Sequence, residues 1–88
     1  MARVLMYATA ACPYCRAAAR LLAQKGVDDV QTVRVDLEPQ RRDEMQARSG
    51  QWTVPQIWID AHHVGGCDEL YALERSGELD ALLETERT

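Results

Sequence analysis

Eighty-eight residues, 47% hydrophobic and 27% charged with a net charge of −4, suit one small domain over residues 1–88 with one modest core. The acidic balance, with no basic run to offset it, argues against a nucleic-acid partner. Nothing approaches the roughly 18 consecutive apolar residues of a membrane span, and Met1 to Tyr7 is too short and too quickly polar for a signal peptide, so a cytoplasmic monomer away from any membrane is expected.

Val4 to Tyr7 is a short apolar run suited to a central strand covered on both faces. Ala8 to Ala11 is a loop of small residues. Pro13 to Lys25 is alanine-rich, places Ala18, Leu21 and Leu22 on one face and stops at Gly26, which predicts a helix. Val30, Val33 and Val35 mark a second strand over Val30 to Asp36. Pro39 opens a polar helix running to about Ser49 and closed by Gly50. Gln56 to Asp60 is a third strand and Ala61 to Val64 a short fourth after a tight turn. Gly65-Gly66 breaks the chain. Asp68 to Ser76 then sets Leu70, Tyr71, Leu73 and Glu74 at helical spacing, and Leu79, Leu82 and Leu83 form a closing amphipathic helix beyond Gly77. The order βαβαββα predicts an α/β fold: a four-stranded mixed sheet, one βαβ unit plus an antiparallel hairpin, with helices on both faces.

Cys12-Pro13-Tyr14-Cys15 carries the chemistry. Thiols at i and i+3 share one helical face and can alternate between dithiol and disulfide. Proline favours the first helical position, which makes Cys12 the N-cap, facing unpaired backbone N–H groups and the positive end of the helix dipole. Such a site stabilises a thiolate and moves a thiol from about 8.5 into a range of roughly 3.5–7.5. Cys12 is the expected nucleophile and Cys15 the resolving thiol. A zinc site needs a second ligand pair, and Cys67 with His62 or His63 matches no common spacing, so no metal is expected. A structural bridge across two residues would constrain little chain. A Cys-x-x-Cys ending the first strand of a βαβ unit is the thioredoxin-like redox arrangement, placed where open α/β sheets carry their sites.

Together with Thr53-Val54-Pro55 and Gly65-Gly66-Cys67-Asp68, this motif strongly resembles a glutaredoxin of the dithiol class, over essentially the whole chain. The resemblance implies a thioredoxin-like fold, a Val54–Pro55 bond that is cis and lies against the two cysteines, and a Val54 backbone turned outward to pair with a peptide-like substrate. Pro13, Tyr14 and Pro55 are then active-site support. Glutathione would be the co-substrate, contacted by Tyr14, Thr53, Val54, Cys67 and Asp68. The N–H groups of Cys67 and Asp68 at a helix start would take its γ-glutamyl carboxylate, and the Asp68 carboxylate its ammonium. Aspartate here also suits a plain N-cap. Cys67 fits a small packing residue better than a catalytic thiol. Arg42 is the candidate for the glycine carboxylate, whereas Arg41 and Arg48 read as solvated charges, and Arg16 either adds positive potential near Cys12 or is simply exposed.

Two positions depart from the family pattern. Thr9 stands where a lysine is common, which removes a cation from the site, and Trp52 stands where arginine or a small polar residue is frequent. Trp52 is read as an exposed wall of the cleft or as packed on the second helix. The reading is a glutathione-dependent reductase of protein disulfides and glutathionylated proteins. One rival is an electron donor reduced by a thioredoxin reductase, kept open by Thr9. Another is a dimeric iron–sulfur carrier ligated by Cys12 and glutathione, which Pro13 and Cys15 resemble less.

Overall fold

A computed structural model describes residues 2–84. In chain order the elements are β1 (Val4–Ala8), α1 (Pro13–Gln24), β2 (Gln31–Arg34), α2 (Pro39–Ser49), β3 (Gln56–Ile59), β4 (His62–Gly65), α3 (Cys67–Ser76) and α4 (Glu78–Leu83). The strands form one mixed sheet in the order β2-β1-β3-β4, with β1 and β2 parallel and the other two pairs antiparallel. This is the expected thioredoxin-like architecture.

Several boundaries differ from the sequence reading for local reasons. β1 runs on to Ala8, which pairs with Arg34, while β2 keeps only the four residues that face Leu5 to Ala8. Val35 lies past the strand yet still donates its N–H to Ala8 O at 3.0 Å. α1 stops at Gln24, with Lys25 as its C-cap and Gly26 at φ 88°. β4 begins at His62 because the turn takes Asp60, at φ 54°, and Ala61. α3 begins one residue early, at Cys67.

The two-residue period of the strands sorts side chains onto two faces. Val4, Met6, Ala8, Ile57 and Ile59 pack with Ala18, Leu21 and Leu22 of α1, Leu70 of α3, and Leu79 and Leu83 of α4. Tyr7, Val33, Val35 and Trp58 point the other way, against Met45 of α2. Helices therefore cover both faces.

The α2 face refines one expectation. Arg48 is exposed, as read, but it is not unpartnered: its guanidinium sits 4.5 Å from the Trp58 ring centroid, and Nη1 donates to Tyr7 Oη at 2.9 Å. A delocalised cation over an indole face gains from the ring quadrupole while its stem covers apolar surface. Arg41 is also engaged, pairing with Glu44 at 2.9 Å and Glu38 at 3.6 Å.

Strand direction assembles the site. Tyr7 pairs with Gln56 across β1 and β3, so the end of β1, which feeds Cys12, lies beside the start of β3, which follows Pro55. Ile57 pairs with Gly65 across the hairpin, which brings the end of β4 and the start of α3 to that same edge. Three motifs separated in sequence meet at one rim of the sheet.

Candidate active site

Cys12 caps α1 with extended backbone, φ −114° and ψ 107°, and Pro13 follows at the first helical position. Its Sγ accepts the Cys15 N–H at 3.1 Å, so one of the orphan donors at the helix start is aimed at the sulfur. No acidic residue stands in the first turn of α1 to oppose a thiolate. Cys12 Sγ also lies 3.8 Å from the carbonyl oxygen of Val54, whose bond to Pro55 is cis. Cys12 and Cys15 are both buried, at 7% and 4% exposure, and both are free thiols.

The preceding loop is tied from two sides. Asp36 Oδ2 accepts the Ala10 N–H at 3.3 Å, and that carboxylate is itself held by Arg34 at 2.6 Å. Arg16 Nη1 donates to Ala10 O at 3.2 Å, so Arg16 braces the loop. Burial pushes the Cys15 thiol up to about 12, aided by its interaction with Cys12, against a lowering contribution from the Thr9 backbone N–H. Burial likewise raises the Cys67 thiol, and the neighbouring Asp68 charge adds to it. Cys67 packs within the apolar cluster, as a small core residue would.

An open cleft of about 310 Å³ lies beside the thiols, lined by Tyr14, Thr53, Val54, Pro55, Cys67 and Asp68 together with Gln51, Gly66 and Glu69. Tyr14 is 63% exposed at its mouth. At Gly65, φ is 111° and a Cβ would meet Glu69 Cγ at 3.1 Å. At Gly66 a Cβ would lie 3.2 Å from Glu69 Oε1, so both glycines leave room for the Glu69 side chain folded back over the start of α3, with Pro55 O next to Gly66. Glu69 Oε1 accepts the Gly66 N–H at 2.8 Å, the reciprocal arm of a capping box whose N-cap, being glycine, has no side chain to return the bond.

Two predicted residues lie elsewhere. Arg42 does not line the cleft; its Nη1 donates to Trp52 O at 3.0 Å and fastens α2 to the loop before Thr53. Trp52 is 47% exposed and is likewise not part of the cleft lining. The sequence reading missed Gln51, Glu69 and Gln56. The Gly66-to-Glu69 spacing was a readable capping signal, whereas nothing local marks Gln51 or Gln56.

The glutaredoxin family model matches residues 4–64. A glutaredoxin of Pseudomonas aeruginosa is 55% identical over 83 residues, covering 94% of this chain and 98% of that protein. The solution structure of a glutaredoxin from Brucella melitensis, 49% identical, superposes at TM-score 0.84 over 100% of this chain and 95% of the other. The crystal structure of a buckwheat glutaredoxin–glutathione complex, 29% identical, matches at TM-score 0.86 over 93% and 76%.

Proposed function

The chain belongs to the glutaredoxin family of thiol–disulfide oxidoreductases, and from that premise we propose that it is a dithiol, glutathione-dependent reductase of protein disulfides and glutathione mixed disulfides. The observation that carries the reading is the Cys12 sulfur at the N-cap of α1, receiving the Cys15 N–H at 3.1 Å at the edge of a cleft that two other segments complete.

The Cys12 thiolate attacks one sulfur of the substrate disulfide, forms a mixed disulfide and expels the other sulfur as a thiolate. With a glutathionylated protein, Cys12 takes the glutathione sulfur and the protein leaves. The thiolate of a second glutathione then attacks the bound glutathione sulfur, which releases glutathione disulfide and restores Cys12. With a protein disulfide, Cys15 loses its proton and attacks Cys12 Sγ, and the departing protein thiolate takes up a proton. Two glutathiones then reduce the Cys12–Cys15 bridge.

The environment of Cys15 times the second route. Burial holds its proton most strongly, and interaction with Cys12 adds to this. Once Cys12 is tied up in a mixed disulfide its negative charge is gone, so Cys15 ionises more readily when it is needed. The resting Cys15 thiol is thereby kept from competing with Cys12 for substrate.

Glutathione fits the cleft through two features. The N–H groups at the start of α3 suit a carboxylate and the Asp68 carboxylate an ammonium, the pair borne by the γ-glutamyl carbon. The Val54 backbone offers main-chain pairing to the cysteinyl residue. The relative from buckwheat was crystallised as a complex with glutathione. Arg42 reaches a glycine carboxylate on this reading only by releasing Trp52 O.

Thr9 favours one second reading, reduction by a thioredoxin reductase, because the site lacks a cation at that position. Turnover of a glutathionylated peptide with glutathione and glutathione reductase, compared with turnover supplied by thioredoxin reductase, decides between them. Turnover only in the second system would sink the glutathione reading.

A further inference from the structure

Gln56 is fully buried, the one buried polar side chain among the described residues. It opens β3 on the face that carries Tyr7 and Trp58, where an apolar residue would pack without desolvation cost. Every polar end of its amide is engaged instead. Nε2 lies 3.0 Å from Thr53 O, 3.2 Å from Thr53 Oγ1 and 3.1 Å from Gln51 Oε1. Oε1 lies 2.8 Å from His63 Nε2, and the His63 ring stacks on Trp58 at 4.6 Å between centroids.

Donor and acceptor logic settles which way this network runs. The Thr53 carbonyl can only accept, so the Gln56 end that meets it is the NH2 group. Oε1 therefore faces His63, and His63 Nε2 carries the hydrogen. The Gln51 Oε1 that Gln56 engages is likewise an acceptor, which turns the Gln51 amide nitrogen the other way. Gln51, Thr53 and Val54 all line the cleft, and Val54 O stands at 3.8 Å from Cys12 Sγ.

We propose that Gln56, held by His63, is a positioning residue for glutathione binding: it clamps the 51–54 wall of the cleft and presents the Gln51 amide nitrogen as a further hydrogen-bond donor to the ligand. This rests on the glutathione reading of the cleft. Gln56 touches neither sulfur, so its effect falls on ligand affinity and leaves the reactivity of Cys12 alone.

The test uses Gln56→Met, which keeps length and flexibility but no hydrogen bond, and His63→Phe, which keeps a ring on Trp58 but removes the donor. Turnover of a glutathionylated peptide by glutathione is measured beside amide hydrogen exchange at residues 51–54 and iodoacetamide alkylation of Cys12. Gln56→Met should raise KM for glutathione about fivefold or more, the scale of one lost hydrogen bond, with kcat within about twofold and faster exchange at residues 51–54. Alkylation should not change. His63→Phe should give the same pattern at smaller size, and the double variant should be no worse than Gln56→Met, because His63 acts through Gln56. Lower thermal stability with unchanged KM and unchanged exchange would reduce Gln56 to a core residue and overturn the proposal. Wild-type protein without glutathione turnover would overturn the reading beneath it, a result distinct from normal wild-type turnover with an unaffected variant.

Discussion

Two helices begin beside the cleft with a cysteine at or next to the cap, and their electrostatics are opposed. α1 starts on Cys12, has no acid in its first turn, and points the Cys15 N–H at the sulfur. α3 starts on Gly66 with Cys67 next, followed by Asp68 and Glu69, and the Glu69 carboxylate already occupies the Gly66 N–H. The dipole of each helix favours an anion at its start. At α1 the sulfur is placed to be that anion, whereas at α3 the Glu69 carboxylate takes the Gly66 N–H and the Cys67 thiol is raised, by burial first and by the Asp68 charge next. A cysteine near a helix N-terminus is therefore not reactive by position alone; burial and the charges beside it also decide.

Serine substitutions break the comparison most sharply. Cys12→Ser should abolish all turnover, and Cys67→Ser should leave it within about twofold, because a buried, acid-flanked thiol supplies no nucleophile. Cys15→Ser should keep reduction of glutathionylated peptide and lose most reduction of protein disulfides. Coupled assays on both substrates check this. Turnover surviving in Cys12→Ser, or lost in Cys67→Ser, would reverse the roles of the two helix starts.

The second test removes the acid that distinguishes α3. Asp68→Ala should raise KM for glutathione by about tenfold or more, since a hydrogen bond to a charged group is worth about 1.5–3 kcal/mol. Iodoacetamide alkylation of Cys12 should change little. An unchanged glutathione dependence with only a lower Tm would leave Asp68 as part of the helix start and nothing more.

The difference between the thiols within α1 has a pH signature. The folded Cys15 thiol titrates near 12 against an ordinary value of 9.0, so the unfolded chain loses that proton first as pH rises. Between those values the native state binds more protons than the unfolded state, and stability falls with rising pH. The contribution is fully present below about pH 9. Denaturant unfolding of the reduced protein should show a loss of about 1 kcal/mol by pH 10 relative to pH 8, beyond that of Cys15→Ser. A parallel course for the two proteins would show that burial at Cys15 is not what holds its proton.

Much of this contrast was legible in the sequence. The strands announce themselves because Val4-Leu5-Met6-Tyr7 and Gln56-Ile57-Trp58-Ile59 are dense in apolar residues, and Pro13 after Cys12 marks where α1 begins. Helix ends at Gly50 and Gly77 follow from left-handed backbone, at φ 75° and 83°. What stayed hidden depends on partners far along the chain. Gln56 reads as a polar strand start, and only the fold shows that it is buried with its amide spent on Gln51, Thr53 and His63. Arg48 reads as surface, and is, but only the fold shows that Trp58, ten residues on, lies beneath its guanidinium. Arg42 was assigned by family pattern, yet Trp52 O, across the loop, takes its guanidinium. Side-chain hydrogen bonds of this kind have no periodicity, so no local pattern announces them.

The smallest expected effect tests whether the α1 start can be pushed further from the α3 start. Thr9 precedes Cys12 by three residues, and its backbone lowers the Cys15 thiol against the larger effect of burial, so position 9 stands at the rim of the dithiol. The chain has no cation there, while α3 contributes two acids across the cleft. Thr9→Lys would place an ammonium where a carboxylate of the ligand can approach it, on a long stem that keeps the charge in solvent. An exposed ion pair of this type is worth about 0.2–1 kcal/mol and is screened by salt. KM for glutathione should accordingly fall by about two- to threefold at low ionic strength, and the gain should fade as salt is added. Steady-state kinetics at two salt concentrations give the answer. An unchanged KM at low salt would mean that position 9 does not face the bound ligand, and that the missing cation leaves the α1 side of the cleft as it was.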